Sequence, residues 1–477
     1  MDFVGAIEAG LRHGLHAVEA LRHELMVFAA FWFIVGALDE IAIDLTWLWL
    51  RLTGRARSER LPGRGEGHAL SGRAAVLVPA WREADVIGEM VRHTLDAWPQ
   101  WQLSLYVGCY RNDPATLAAV VLAARDDPRL RIVVHDAAGP TTKADCLNRL
   151  YHALCADEQR SGVPFAAIVM QDAEDMVHPA GLAAMDRALA DAEFVQLPVR
   201  PEIHPASPWI SGHYADEFTE SHAKSMVVRD CLGAALPSAG VGCAFARSAL
   251  ARLEQQRLAA GQSGPFATDC LTEDYELGLL IARNGGRSRF LRLRDSEGAL
   301  VATRSFFPGD LEESVRQKTR WVHGIALQGW DRLGWTGRAV DIWMAMRDRR
   351  GPLTALVLFA AYLLVMIEGV VMLGWASGVL QPAPLSPGLQ AMLRLTVLAL
   401  AWRLAFRFAF TAQEYGWLEG LRAMLRLPVG NVIAILAGRR AMLAYVASLR
   451  GAAPVWDKTD HHLHLASALR RTAVVQR

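Results

Sequence analysis

Long apolar runs limit what this chain can fold into. Leu25–Leu50, Leu353–Leu380, Leu389–Phe410 and Leu427–Val446 all have the length at which a helix begins to suit a bilayer. Apolar residues make up 52% of the chain and its mean hydropathy is positive, yet 21% of residues are charged. Such averages suggest a polar domain joined to membrane segments. The 15 tryptophans fit an interfacial protein, because Trp favours the membrane–water boundary. A net charge of +1 gives no electrostatic reason to expect nucleic acid as a partner. The six cysteines form no CxxC pair, which argues against a zinc site and suits reduced thiols in a cytosolic domain.

Residues 1–24 have Ile7, Leu11, Leu15, Val18, Leu21 and Leu25 at helical spacing, with charged residues and His between. They read as an amphipathic helix, lying on a membrane surface or packed on protein. Residues 25–50 read as a transmembrane helix rather than a cleaved signal. Asp39, Glu40 and Asp44 inside it share one face, which points to partner helices or to the helix's polar end; a polysaccharide path is a third option. Residues 51–73 form a basic linker with Arg51, Arg55, Arg57, Arg60, Arg64 and Arg73, so that side is cytoplasmic and the N-terminus outside. Residues 304–350 read as an amphipathic helical region at the membrane, and 351–410 as a transmembrane helix pair. Residues 411–477 hold an interfacial helix, with a fourth span as the alternative, and a cytosolic tail whose Asp460, His461, His462 and His464 are expected in solvent.

Between these segments, residues 74–303 alternate short apolar runs with helical patterns. Strands are expected at Ala74–Val78, Leu103–Val107, Arg131–His135 and Ala166–Met170. Helices are expected at Asp85–Trp98, Pro114–Ala124 and Lys143–Ala156. This alternation implies an α/β domain with a mainly parallel sheet. Ligands then bind beyond the C-terminal ends of the strands.

The run Phe165–Met170 ends in Gln171-Asp172-Ala173-Glu174-Asp175, three carboxylates within four residues. Acids this close repel unless a cation lies between them, so the turn suits a hard divalent metal against a nucleotide diphosphate; a solvated acidic loop is the plain alternative. Val78-Pro79-Ala80-Trp81-Arg82-Glu83 is a strand leading into a turn that could cup a base, with Glu83 accepting hydrogen bonds. Asp113, before Pro114, suits either a ligand contact or a helix N-cap. The turn Gly139-Pro140-Thr141-Thr142-Lys143 enters a helix, and Lys143 with the helix-start amides suits phosphate or a base edge. Thr272-Glu273-Asp274 opens another helix; capping alone explains it, yet a carboxylate there could act as a general base. Gln317, Arg320 and Trp321 share one helix, where Arg320 could contact diphosphate and Trp321 could stack on a sugar.

Together and in this order, these motifs resemble the family-2 glycosyltransferases of the processive, membrane-embedded kind related to cellulose and hyaluronan synthases. Asn112-Asp113-Pro114, Gly139 to Asn148 and the tail Val455-Trp456-Asp457-Lys458-Thr459 look like the phage adsorption protein B branch. The resemblance implies a GT-A fold (Rossmann-like, mainly parallel) in the cytosol and a nucleotide-sugar donor, expected to be a UDP-sugar. It implies Mg²⁺ or Mn²⁺ held by Asp172 and Glu174, and Asp274 as the base with Glu273 beside it. Pro79, Glu83, Asp113, Lys143 and Asp172 would bind the donor; Gln317, Arg320 and Trp321 would hold the diphosphate and the acceptor end. Two departures stand out: the second acid is Glu174 where aspartate is usual, and the loop at Asp113 lacks the usual Asp-Asp-Gly-Ser pattern. The expected function is elongation, and secretion, of an exopolysaccharide at a bacterial inner membrane, serving as a phage receptor. Membrane lipids, a growing glycan or lipid acceptor, and a periplasmic or outer-membrane export partner are the expected partners. Single-sugar transfer to a lipid carrier and a non-catalytic scaffold are the alternatives.

Overall fold

A computed structural model describes residues 3–56, 58–61, 68–335, 337–378, 384–451, 458 and 463–475. Arg57, Arg64, most of the Val455–Thr459 motif, and Asp460, His461 and His462 lie outside the described residues. The first element is α1 (Phe3–Leu52), a single continuous helix. The expected division at residue 24 does not occur. No proline precedes Pro62, so the change in composition never interrupts the hydrogen-bond ladder. A short strand, β1 (Glu59–Arg60), follows.

The expected alternation then appears as β2 (Arg73–Pro79), α2 (Ile87–Ala97), β3 (Leu103–Tyr110), α3 (Pro114–Ala124), β4 (Leu130–His135), α4 (Lys143–Ser161) and β5 (Phe165–Met170). Next come α5 (Gly181–Ala188), β6 (Phe194–Gln196), β7 (Val199–Glu202) and α6 (Ile210–Glu220), which runs through a π-helical turn, Ser221–Ser225, into α7 (Met226–Cys231). The domain continues with β8 (Cys243–Ala246), α8 (Arg247–Ala259), α9 (Glu273–Arg283), β9 (Ser288–Phe290), β10 (Leu293–Arg294) and β11 (Thr303–Phe306). Seven strands form one sheet in the order β4-β3-β2-β5-β8-β6-β9, in which β8 alone runs antiparallel to its neighbours. Two small parallel pairs, β1 with β10 and β11 with β7, flank it. β2 is apolar on both faces because both are covered. Ala74, Val76 and Val78 pack in one layer with Ile87, Met90 and Val91 of α2; Ala75 and Leu77 pack in the other with Leu147 and Leu150 of α4. The parallel strands β2, β3 and β5 therefore end at one edge, where their loops meet.

Beyond the sheet, α10 (Leu311–Trp321) passes through a π-helical stretch, Val322–Gln328, into α11 (Gly329–Leu333), then α12 (Ala339–Arg349). The chain continues as α13 (Gly351–Ala376), α14 (Pro387–Tyr415), α15 (Trp417–Leu425), α16 (Leu427–Leu449) and α17 (Leu465–Val475). Four described helices are long and apolar enough to cross a membrane: α1 over Ala17–Leu52, α13, α14 and α16. One face of α16 packs on protein, while Val432, Met442, Leu443 and Val446 are exposed. Arg426, just before it, makes a buried two-point pair with Asp216 of α6 (2.9 and 2.7 Å). Ile433 and Ala437 pack on Val315 of α10. Gly438 meets Ala355 of α13 so closely that an added Cβ would sit 2.4 Å from the alanine methyl. Tyr445 donates to Asp331 beside α11 (2.7 Å).

The acids of α1 face partner helices, the first of the expected alternatives. Asp39 accepts from Trp343 Nε1 and Arg350 (both 2.7 Å), and Glu40 from Arg347 (3.1 Å). Asp44 accepts from the buried Lys224 (2.6 Å) and from Trp402 (2.8 Å); Lys224 also reaches Glu220 (3.0 Å). Towards the other end of α1, Arg22 pairs with Glu368 of α13 (2.5 Å). Arg22 and Glu40 are 18 residues apart, as are Arg350 and Glu368. Two polar clamps thus tie the antiparallel pair about 27 Å apart at helical rise, and residues 25–38 between them carry no charge. That separation is close to the ~30 Å hydrocarbon thickness of a bilayer. The last turns of α1, expected in lipid, instead pack on protein: Ile43 and Leu50 join Val228, Ala234 and Met344. Removing the cation at the centre of this cluster leaves buried carboxylates unpaired. Lys224→Met is expected to destabilise the detergent-solubilised protein by about 3–5 kcal/mol, read as a fall in thermal midpoint; an unchanged midpoint would show that the cluster contributes nothing.

Candidate active site

The Gln171–Asp175 turn leaves β5 at the sheet edge. Asp175 is buried, and its carboxylate accepts the backbone N–H of Asp172 (2.7 Å). Burial, with the charges of Asp172 and Glu174, raises its pKa well above the usual range. His464 of the tail donates its Nε2–H to the Asp175 carbonyl (3.2 Å), so this histidine is buried rather than solvated. Burial lowers the His464 pKa to about 4, which keeps it neutral near neutral pH. Asp172 faces the first turn of α4, where Lys143 Nζ lies 2.6 Å from its carboxylate. Thr142 caps that helix by accepting the N–H of Asp145 (3.2 Å). Burial opposes the charge on Lys143, but Asp172, Glu273 and Asp274 outweigh it and raise the ammonium pKa.

Glu273 and Asp274 open α9. Thr272 stands at the N-cap position, yet its hydroxyl makes no capping bond and has no hydrogen-bond partner; Glu273 Oε1 also has none. Burial foremost, then the Asp274 charge, pushes the Glu273 carboxyl up to about 8, against the pull of Lys143. Asp274 is raised as well, by burial. Its carboxylate lies over Gly240, where φ is +76° and an added Cβ would sit 2.2 Å from Oδ2. Only glycine meets both conditions, left-handed backbone and no side chain. Two buried glutamines hold this loop. Gln196 accepts from Ala239 N–H (2.9 Å) and donates to Val241 O (2.8 Å), and Gln171 accepts from Gly242 N–H (3.2 Å).

Opposite α9, α10 turns Gln317, Arg320 and Trp321 to the same space. Lys318 instead pairs with Glu217 of α6 (2.5 Å). The Trp321 ring joins Tyr214 and Phe218 (6.0 Å each) and Phe307 (6.5 Å). Gln317 Oε1 is buried without a hydrogen-bond partner.

A cavity of about 540 Å³ connects these groups. Its walls include Pro79, Glu83, Lys143, Asp172, Glu174, Glu273, Asp274, Gln317, Arg320 and Trp321. Asp113 is not on the wall. It caps α3 by accepting Thr116 N–H (3.3 Å) and braces Arg82 N–H (2.6 Å), so the capping alternative is what the structure holds. Its neighbour Asn112 exchanges two hydrogen bonds with Gly139 (2.8 Å each), joining the two turns. Trp81 packs so close to Gly139 that a Cβ there would fall 2.4 Å from the ring. The buried Glu83 is met by Lys458 of the tail (2.7 Å), which also donates to Arg82 O (3.2 Å).

Several residues are not legible as site residues from the sequence: Gln196, Glu217, Arg229 and Asp348 on the wall, and Gly240 against Asp274. The Gly240-Val241-Gly242 spacing is a faint signal for the loop; the others carry none, because distant segments bring them in. Oxygen ligands for a hard cation are present in Asp172 and Glu174, while Asp175 is engaged in its own turn. Among the described residues no three His, Cys, Asp or Glu groups converge as a ready metal site. Two carboxylates completed by substrate phosphate oxygens are nevertheless a normal Mg²⁺ environment, so the residues fit such an ion.

The family described as glycosyltransferase like family 2 matches residues 72–324. The chain belongs to this family. It is 31% identical over 488 residues to bacteriophage adsorption protein B of Escherichia coli K12 and to bacteriophage N4 adsorption protein B of E. coli O157:H7, covering 97% of this chain and 64% of each relative. The chain thus spans somewhat under two thirds of their length. Among solved structures it is similar to the mannosyltransferase PcManGT from Pyrobaculum calidifontis in complex with GDP-Man and Mn²⁺, at 20% identity, TM-score 0.49, and 86% and 99% coverage of the two chains. It is also similar to glucosyl-3-phosphoglycerate synthase of Mycobacterium tuberculosis, at 18% identity, TM-score 0.29, and 47% and 72% coverage. The domain has the mainly parallel α/β sheet expected from the sequence.

The raised Glu273 carboxyl has a consequence for stability. Its folded pKa exceeds its unfolded value, so folding takes up a proton. Its contribution is complete below the unfolded value of 4.5 and is lost as pH rises through about 8. In the donor-free protein, Glu273→Gln should therefore lose less thermal stability than the parent between about pH 6 and about pH 9. Parallel melting curves at the two pH values would refute the buried, protonated state.

Proposed function

We propose that this chain is an inverting glycosyltransferase that lengthens a saccharide at the cytoplasmic face of a bacterial inner membrane. The observation that carries the reading is the single cavity shared by the acidic turn, Asp274 and Trp321. A nucleotide sugar would lie with its base between Pro79 and Glu83 and its diphosphate near Lys143 and Arg320. Asp172 and Glu174 would hold Mg²⁺ or Mn²⁺, which neutralises the leaving diphosphate. The acceptor hydroxyl gives its proton to Asp274 as its oxygen bonds to the anomeric carbon. The bond from that carbon to the diphosphate breaks, its electron pair leaves with the nucleoside diphosphate, and the carbon inverts. Burial, then the Asp274 charge, raises the Glu273 carboxyl to about 8, so of these two neighbours Asp274 would carry the negative charge. Gly240 leaves the Asp274 oxygen room that any side chain would take.

A neutral saccharide acceptor is favoured over a phosphate-bearing lipid carrier by the charge on the walls. Arg229, Arg347 and Lys458 each already have a carboxylate partner in the chain. The aromatic group around Trp321 suits a sugar face.

α1, α13 and α14 are proposed to cross the bilayer between the two charge clamps, with the N-terminus outside. Helix α16 is proposed to stay on the cytoplasmic side. A fourth crossing would carry the tail to the opposite face, yet Lys458 and His464 rest on the sheet domain. By likeness to the bacteriophage adsorption proteins, the product is proposed to be an exopolysaccharide used in phage adsorption, exported with a periplasmic or outer-membrane partner.

The test is a panel of radiolabelled UDP- and GDP-sugars on membranes, with product sizing. Asp274→Asn is expected to abolish transfer while leaving donor binding within about twofold; full activity in that variant would remove Asp274 from the role. A glycolipid bearing one sugar would replace elongation with single transfer. With only two protein carboxylates offered, Mn²⁺ should bind the protein weakly alone and at least about tenfold more tightly with UDP or GDP present, measured by electron paramagnetic resonance. Equal affinity in both conditions would overturn the shared-shell assignment.

A further inference from the structure

Neighbouring residues near the end of α12 hold two different parts of the molecule. Arg347 pairs with Asp39 and Glu40 of α1. Asp348 accepts the Tyr275 hydroxyl (2.9 Å), and Arg229 Nη1 donates to both its oxygens (2.9 Å each). Tyr275 and Arg229 are each only 5% exposed, so these bonds are shielded from water. Tyr275 directly follows Asp274 in the first turn of α9. Within that turn Asp274 Oδ1 accepts Tyr275 N–H (2.7 Å), but Thr272 makes no cap bond and Glu273 Oε1 has no hydrogen-bond partner. Its anchors to other elements include the membrane-proximal helices. Tyr275 is tied to α12, and Glu276 accepts two bonds from Arg332 of α11 (2.7 and 3.0 Å).

We propose that Asp348 is a positioning residue, which fixes Tyr275, and so the adjoining Asp274, in register with the membrane helix α1. The inference rests on the reading of Asp274 as the base. The acceptor arrives from the membrane side of the cavity, whereas the donor is held by loops of the sheet. A base carried by the sheet alone would follow the donor; one tied to α12 also follows the helices beside the acceptor. Position matters here because a displacement of about 1 Å at the reacting atoms can cost about a hundredfold in rate.

The test uses the full-length protein in lipid nanodiscs. With the nucleotide sugar that the panel identifies, Tyr275→Phe and Asp348→Asn should each lower kcat about tenfold, the effect of one lost buried bond to a charged group. The donor KM should stay within about twofold. The double variant should be no slower than the worse single one, because both changes break the same link. Independently of activity, hydrogen–deuterium exchange on the donor-free protein should quicken in the first turns of α9 in Asp348→Asn and in Arg347→Gln, while α4 stays protected. Unchanged kcat in Tyr275→Phe, or unchanged α9 exchange in both other variants, overturns the proposal. If no nucleotide sugar is turned over even by the parent, that failure belongs to the functional reading, and exchange alone decides the positioning role.

Discussion

One ammonium group reconciles the acids at the mouth of the sheet. Asp172 comes from β5 and Glu273 and Asp274 from α9, and burial brings like charges together where water screens them little. Lys143 Nζ contacts Asp172 directly, and all three carboxylates stabilise its charge. Without that cation the turn after β5 and the start of α9 would repel each other. Burial also raises the Glu273 and Asp175 carboxyls, which lessens the negative charge left to balance. The architecture serves this meeting. The parallel strands β2 and β5 end together, α4 delivers Lys143 to the same edge, and the two-glutamine clasp on the Gly240 loop leaves space for Asp274.

A second electrostatic arrangement sits at the membrane side. Acids on α1 are costly in lipid, but here each one found at residues 39, 40 and 44 meets a cation on α12, the segment after α6, or the start of α13. These pairs do for the helices what the hydrophobic layers do for the sheet: they select one rotation and one depth. Glycine at Gly438 and alanine at Ala355 let α16 approach α13 closely, so the platform beneath α10 is packed rather than lipid-filled.

Much of this was legible in the residues. Strands β2 to β5 were readable as mostly apolar runs bounded by turns, with Ser104 and Arg131 the polar exceptions inside β3 and β4. Helix α3 begins and ends where expected because Asp113 and Pro114 mark its first turn. The acids of α1 were readable as one face, but not their partners, since Lys224 and Arg347 lie far along the chain and only tertiary packing brings them in. The same holds for the end of α1: Trp47 and Leu50 are as apolar as lipid-facing residues, and only the structure places them against α7 and α12. Asp113 illustrates a local ambiguity, because a carboxylate before proline suits both a ligand and a cap, and the cap prevailed. Lys458 was readable only as part of a tail motif and His464 only as a residue expected in solvent; their contacts with the sheet domain come from tertiary packing.

The cavity draws on nearly the whole length of the chain. Its walls include Lys458, and α12 beside it rests on Asp39 and Glu40. During synthesis, the sheet domain emerges long before the tail exists and before α13 has joined α1. A nascent sheet domain therefore lacks its membrane-side wall and part of its donor-side wall until the last helices are inserted. Such an order of assembly leaves the cavity incomplete until the segments that close it, the last of them the one bearing Lys458, are in place.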